Sequence, residues 1–133
     1  MSELEKEFVP YQESLELKEL GFDEPCFGKY LSSLQSDWKE FELILKRGMN
    51  EEFENNRNIY LLEGACSAPT FSQAFRWFRE KGFVVDIYSE NNIDWFFLIK
   101  KDVITTNNDI YKNEEEAELA CLRKLIQIVK NKI

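Results

Sequence analysis

The chain has 133 residues, of which 44% are hydrophobic, 14% aromatic and 32% charged, enough for a single domain to build its own core without metal or disulfide staples. Five Gly and three Pro exclude collagen-like and low-complexity classes, and the hydrophobic share excludes wholesale disorder. Seventeen Lys and Arg against twenty-five Asp and Glu give a net charge of −8, which argues against direct duplex DNA or RNA binding, because that rests on neutralising phosphates.

The first six residues, Met-Ser-Glu-Leu-Glu-Lys, have neither the basic nor the apolar region of a signal peptide, so the protein is expected to stay in the cytosol where it is made. Pro10, the run 11–20 and then Gly21 predict a short helix with Pro near its start and Gly just past its end. Phe22 after the Gly supplies the hydrophobic contact of a Schellman stop. Residues 1–24 hold eight acids and two bases, so the charge asymmetry is concentrated here. Glu13, Glu16, Glu19, Asp23 and Glu24 are the candidate partner-binding acids, a negative surface suited to a basic groove. The alternative is an ordinary solvated helix face.

Residues 26–31 are short, aromatic and preceded by Pro25, and predict a first strand. The stretch 37–47 fits two patterns: Phe41, Leu43 and Leu45 alternate as in a strand, whereas Trp38, Phe41 and Leu45 make a helical stripe. The strand is the preferred reading. Residues 47–58 hold two large apolar side chains among twelve and predict a mobile loop; 59–62 predict a further strand.

The clearest helix follows. Thr70 with Gln73 three residues on makes a capping box, Phe71, Ala74, Phe75 and Phe78 fall on one stripe, and Gly82 ends it. Residues 83–89 and 93–101, around Glu90-Asn91-Asn92, predict a hairpin, which Val103 and Ile104 extend before a polar turn over 105–109. Asn113 with Glu116 opens a last helix carrying Ala117, Cys121, Leu125 and Ile128 or Val129 inward, acidic at its start and basic at its end, as the helix dipole favours. This order predicts one α+β domain over 1–133, with a small antiparallel sheet packed by about three helices.

The chain contains no histidine, which removes Ser-His-Asp and Cys-His activation and the commonest metal ligand. No phosphate-binding loop, dinucleotide fingerprint or nucleophile elbow occurs, and no cofactor, metal or catalytic residue is expected. Cys26, Cys66 and Cys121 are widely spaced and suit reduced core positions. Arg76, Trp77 and Arg79, with Lys81, form a second candidate surface, since aromatic and guanidinium groups stack bases or clamp phosphate. The alternative is that Trp77 closes the core edge while Arg76 and Arg79 pair with neighbouring acids or lie over its ring.

The run Ala68-Pro69-Thr70-Phe71-Ser72-Gln73-Ala74-Phe75-Arg76-Trp77-Phe78-Arg79-Glu80-Lys81 resembles one found in small proteins carried by phages, prophages and mobile elements of Bacteroides-type bacteria. Leu17-Lys18-Glu19-Leu20-Gly21-Phe22-Asp23-Glu24-Pro25-Cys26-Phe27-Gly28 and Glu114-Glu115-Glu116-Ala117-Glu118-Leu119-Ala120-Cys121-Leu122-Arg123-Lys124-Leu125-Ile126 are similar in the same way, in the same order, the middle block being the most specific. The resemblance transfers no catalytic residue and implies a mobile-element accessory protein.

With the charge, it leads to the expectation of a non-enzymatic inhibitor of a bacterial defence system, of the anti-CRISPR kind. Its partner would be a protein with a basic nucleic-acid groove, such as a CRISPR effector with its guide RNA. A structural or regulatory module of a mobile element, homodimeric through Trp38, Phe41 or Trp95, is the alternative. A magnesium-dependent nuclease using Arg76, Arg79 and a carboxylate pair is the third and least favoured.

Overall fold

The computed structural model describes residues 5–26, 28–32, 41–45, 65–101, 104–106 and 109–131. After a 3-10 turn at Glu5–Glu7, the elements run α1 (Tyr11–Glu19), β1 (Gly28–Ser32), β2 (Phe41–Leu45), β3 (Cys66–Ala68), α2 (Phe71–Glu80), β4 (Val84–Ser89), β5 (Trp95–Lys100), β6 (Ile104–Thr106) and α3 (Glu114–Asn131). The class is α+β, with antiparallel sheets, as the sequence predicts. The strands do not gather in one sheet, however. They form two of three strands each, in the orders β2-β1-β3 and β4-β5-β6. The local hairpin starts a sheet of its own after α2, while β3 turns back to β1. Contacts divide the chain into two compact units, Met1–Thr70 and Phe71–Ile133.

In the first unit, α1 starts immediately after Pro10, whose φ of −58° and ψ of 160° set the N-cap. It ends in the expected Schellman motif: the Gly21 amide donates to the Lys18 carbonyl at 3.0 Å and the Phe22 amide to the Leu17 carbonyl at 2.9 Å. Gly21 takes φ +101°, a conformation that costs an L-residue strain. Both Leu17 and Phe22 are buried, completing the apolar half of the motif.

Helix α1 packs on β3. On the sheet, Tyr30 pairs with Leu43 of β2 and with Cys66 of β3, and these side chains meet Phe8, Ala68, Tyr11 and Leu15 in one apolar cluster. The Val9 carbonyl accepts from Ser14 Oγ at 3.0 Å and from Tyr30 Oη at 2.7 Å. Its amide donates to the Pro69 carbonyl at 2.9 Å. Fully buried Val9 thus has no unmet backbone polar group.

β2 settles the ambiguous stretch as a strand over 41–45. β3 was not expected: Cys66, Ser67 and Ala68 are all buried and too few and small to show a period of two. The predicted loop at 47–58 and strand at 59–62 lie outside the described residues.

In the second unit, α2 and α3 pack on each other and on β4, and α3 also packs on β5. Phe71, Ala74, Phe75 and Phe78 are buried as predicted. Gly82, at φ +98°, repeats the stop of α1, with the Gly82 amide on the Arg79 carbonyl at 3.0 Å and the Phe83 amide on the Phe78 carbonyl at 3.2 Å.

The β4–β5 connection is organised by Asn91. Its Oδ1 accepts from the amides of Ile93 and Asp94 at 2.9 and 2.8 Å, while Asn92 takes φ +62°. Asn113 Oδ1 caps α3 by accepting from the Glu116 amide at 2.8 Å. The inward row of α3 is Ala117, Cys121 and Leu125, joined by Leu122 and Ile126 rather than by Ile128 or Val129, which are half-buried. A helix flanked by both a sheet and a second helix needs a wider apolar stripe than one row.

Candidate partner-binding surface

Charge divides between the two units as cleanly as contacts do. Residues 1–70 hold fifteen acids and seven bases, and residues 71–133 hold ten of each. The whole net charge of the chain therefore belongs to the first unit.

Along α1 the acids are not equivalent. Glu13 is 5% exposed, on the inward face with Ser14 and Leu17. Glu16 is half-buried and Glu19 exposed. Steps of three residues fall about 60° short of a full turn in a 3.6-residue helix, so Glu13 and Glu19 lie roughly 120° apart and share no face. The predicted acidic face over Glu13, Glu16 and Glu19 is corrected accordingly: Glu13 belongs to the interior.

Glu16 and Glu19, with half-buried Asp23 and Glu24 just past the Schellman turn, make up the acidic end of α1. Glu16 Oε1 accepts from Gln12 Nε2 at 3.2 Å. Lys18, the one base within α1, is turned to the Ala65 carbonyl, to which its Nζ donates at 2.7 Å.

This end is the negative pole of the helix dipole, where acidic side chains lower stability. α3 has Glu114, Glu115 and Glu116 in its first turn and Lys130 in its last, and α1 has Glu13 in its first turn and Lys18 in its last, both as the dipole favours. In α1, Glu16 and Glu19 lie towards that pole together with Lys18 of the last turn.

The second candidate surface is also revised. Trp77 is 8% exposed and stands edge-on to Phe78, with ring centroids 5.0 Å apart. The Lys81 ammonium lies 4.4 Å from its ring centroid. Trp77 flanks the apolar stripe of α2 closely enough to join it, which leaves no open indole face of the kind a stacking platform needs. Arg76 and Arg79 are exposed, and Arg79 Nη2 donates to the Val85 carbonyl at 3.0 Å, tying α2 to β4. Trp77 thus closes this edge of α2, with the Lys81 ammonium over its ring and Arg79 tied to β4.

The three thiols are buried and form no disulfide. Burial pushes Cys66 up to about 12, against the pull of Lys18. Burial likewise pushes Cys121 up to about 12, with Arg79 pulling down and Glu118 adding to the rise. Cys26 Sγ donates to the Glu24 carbonyl at 3.3 Å. Since the thiolate is the nucleophile, Cys66 and Cys121 are inert in the folded protein. Tyr11 is raised by burial and by Cys66.

Among the described residues, no three or more Cys, Asp or Glu are grouped to hold a metal ion, and no helix is long and apolar enough to cross a membrane. No family model, no curated protein and no solved structure matches the chain.

Proposed function

We propose that the protein acts by binding rather than by chemistry, as an inhibitor that sets the acidic end of α1 into a cationic groove of a bacterial nucleic-acid-handling protein. One observation carries this reading: Glu16, Glu19, Asp23 and Glu24 follow closely on one another at the C-terminal end of α1, a local concentration of carboxylates that a basic partner would meet. The confinement of the net charge to residues 1–70 supports it, because a strongly negative segment steers association with a basic partner.

The resemblance to mobile-element proteins makes an RNA-guided defence nuclease, alone or with its guide RNA, the first target to examine. Such an effector holds its heteroduplex in a positively charged channel, which matches an anionic occupant.

The test is capture with the tagged full-length chain from a Bacteroides-type host, followed by a cleavage assay on the captured nuclease. The expected result is a basic nucleic-acid enzyme that is released by raised salt and inhibited at near-stoichiometric ratios. Turnover of a nucleic-acid substrate by the purified chain itself would overturn the reading.

A further inference from the structure

In the second unit, β4 stands at the edge of the sheet β4-β5-β6. The register of β5 fixes which backbone groups of β4 face outward. Trp95 pairs with Ser89 on one side and with Tyr111 on the other, and its amide and carbonyl are both engaged with Tyr111. Backbone groups alternate in direction along a strand, so those of Trp95, Phe97 and Ile99 point away from β4 and those of Phe96, Leu98 and Lys100 point towards it. Their partners Tyr88, Asp86 and Val84 turn their amides and carbonyls to β5. Val85, Ile87 and Ser89 turn theirs to the open side.

Such a row is a template for another strand. β4, with the sequence Val-Val-Asp-Ile-Tyr-Ser, carries neither Pro nor Lys, and its register with β5 runs unbroken over all six residues, so no bulge twists the edge away. One outward group is nevertheless occupied. Arg79, in the last turn of α2, donates from Nη2 to the Val85 carbonyl at 3.0 Å. Among the described residues no other hydrogen bond reaches the outward backbone groups of Val85, Ile87 and Ser89.

A guanidinium closes this position in two ways. It takes the acceptor that an incoming amide needs, and it has donors but no acceptor to offer in return. It also lies in the lane, about 4.8 Å wide, where a neighbouring backbone would run. The place matters for pairing with a second copy. Antiparallel pairing of two β4 edges about Ile87 sets Val85 of each copy opposite Ser89 of the other, and both outer pairs need a Val85 carbonyl. Arg79 withholds it in both copies, which leaves Ile87 with Ile87 as the one complete pair.

We propose that Arg79 is an edge guard, which by holding the Val85 carbonyl keeps the chain from pairing with a second copy of itself through β4. Main-chain hydrogen bonds carry strand addition, so occupying one carbonyl in a row of three is enough to weaken it. The proposal does not rest on the acidic end of α1.

Sedimentation of the full chain from about 10 μM to about 1 mM should give the monomer mass of 15.8 kDa throughout, and Arg79→Ala should move towards twice that mass, with association at least about tenfold tighter than in the parent. Amide exchange locates the contact. In the unaltered chain the Ile87 and Ser89 amides should exchange fast beside the slow amides of Asp86 and Tyr88, and in associated Arg79→Ala the Ile87 amide should become protected. Circular dichroism of the variant checks folding.

A contact that only fastens α2 to β4 would lower the stability of Arg79→Ala without changing its mass, and that result would overturn the proposal. So would association that leaves the Ile87 amide unprotected, or an unaltered chain that pairs as readily as the variant. Independently of any variant, an Ile87 amide as slow as that of Tyr88 in the unaltered monomer would show that the edge is not open, and would overturn it too.

Discussion

Phe83 stands edge-on to Phe78 with ring centroids 6.0 Å apart, while its amide donates to the Phe78 carbonyl. One residue pair thus closes both the polar and the apolar half of the α2 terminus, and Leu17 with Phe22 supplies the same two roles at α1. The conformation depends on glycine. A Cβ on Gly21 would meet nothing within 4 Å, and one on Gly82 only Lys101 Cε at 3.7 Å, so substitution there costs backbone strain and not collision. Gly21→Ala and Gly82→Ala should each lower unfolding free energy by about 1–2 kcal/mol in urea titrations. Phe78→Ala, which empties a fully buried site, should cost about 3–5 kcal/mol.

The Val9 carbonyl supports a sharper test, because two buried hydroxyls donate to it. Ser14→Ala or Tyr30→Phe alone leaves the other donor in place and should cost about 0.5–1.5 kcal/mol. Together they strand a buried acceptor. The double variant should therefore lose more than the two single losses combined, by about 1 kcal/mol in a double-mutant cycle. Strict additivity would show that the two bonds are independent.

The thiols make stability depend on alkaline pH. The ordinary value for Cys66 and Cys121 is 9.0, and both are raised to about 12 in the fold. Between those values the unfolded chain gives up thiol protons that the folded chain retains, so unfolding is favoured as pH rises. The contribution of each neutral thiol is full below pH 9 and is lost between 9 and about 12. Melting temperature should fall across that window, and Cys66→Ala with Cys121→Ala should flatten the fall. At pH 8 a disulfide reagent should leave Cys66 and Cys121 unmodified in the native protein and modify all three cysteines in denaturant.

Much of this architecture is legible in the sequence where one residue type has a single cheap conformational use. Gly21-Phe22 and Gly82-Phe83 mark helix ends because positive φ and a following aromatic leave few alternatives. Asn113 and Glu116 mark a helix start for the same kind of reason. What the sequence hides depends on tertiary surroundings. β3 is three small residues whose pairing with β1 has no local signature. Glu13 and Trp77 carry polar or exposable groups, and only the packing of α1 and α2 turns them inward. The apolar residues of β5 read as a strong strand, yet their two faces separate only once α2 and α3 are seen to cover one of them.

The placement of carboxylates on α1 predicts a trade of stability against binding. Glu16→Gln with Glu19→Gln removes two negative charges from the negative pole of the helix. It should raise stability by about 0.3–1 kcal/mol at low salt, less as salt increases. The same variant should bind its partner more weakly. A loss of stability would mean that these carboxylates serve the fold, contrary to their proposed role.

The account is tested most directly by the affinity of the captured partner for the full chain, measured against salt concentration with and without Glu16→Lys and Glu19→Lys together. Glu13 is left intact, since reversing a buried carboxylate would unfold α1. The account predicts at least about a tenfold weaker complex and a shallower salt dependence for the variant. Equal affinity and an equal salt slope for the two proteins would contradict it.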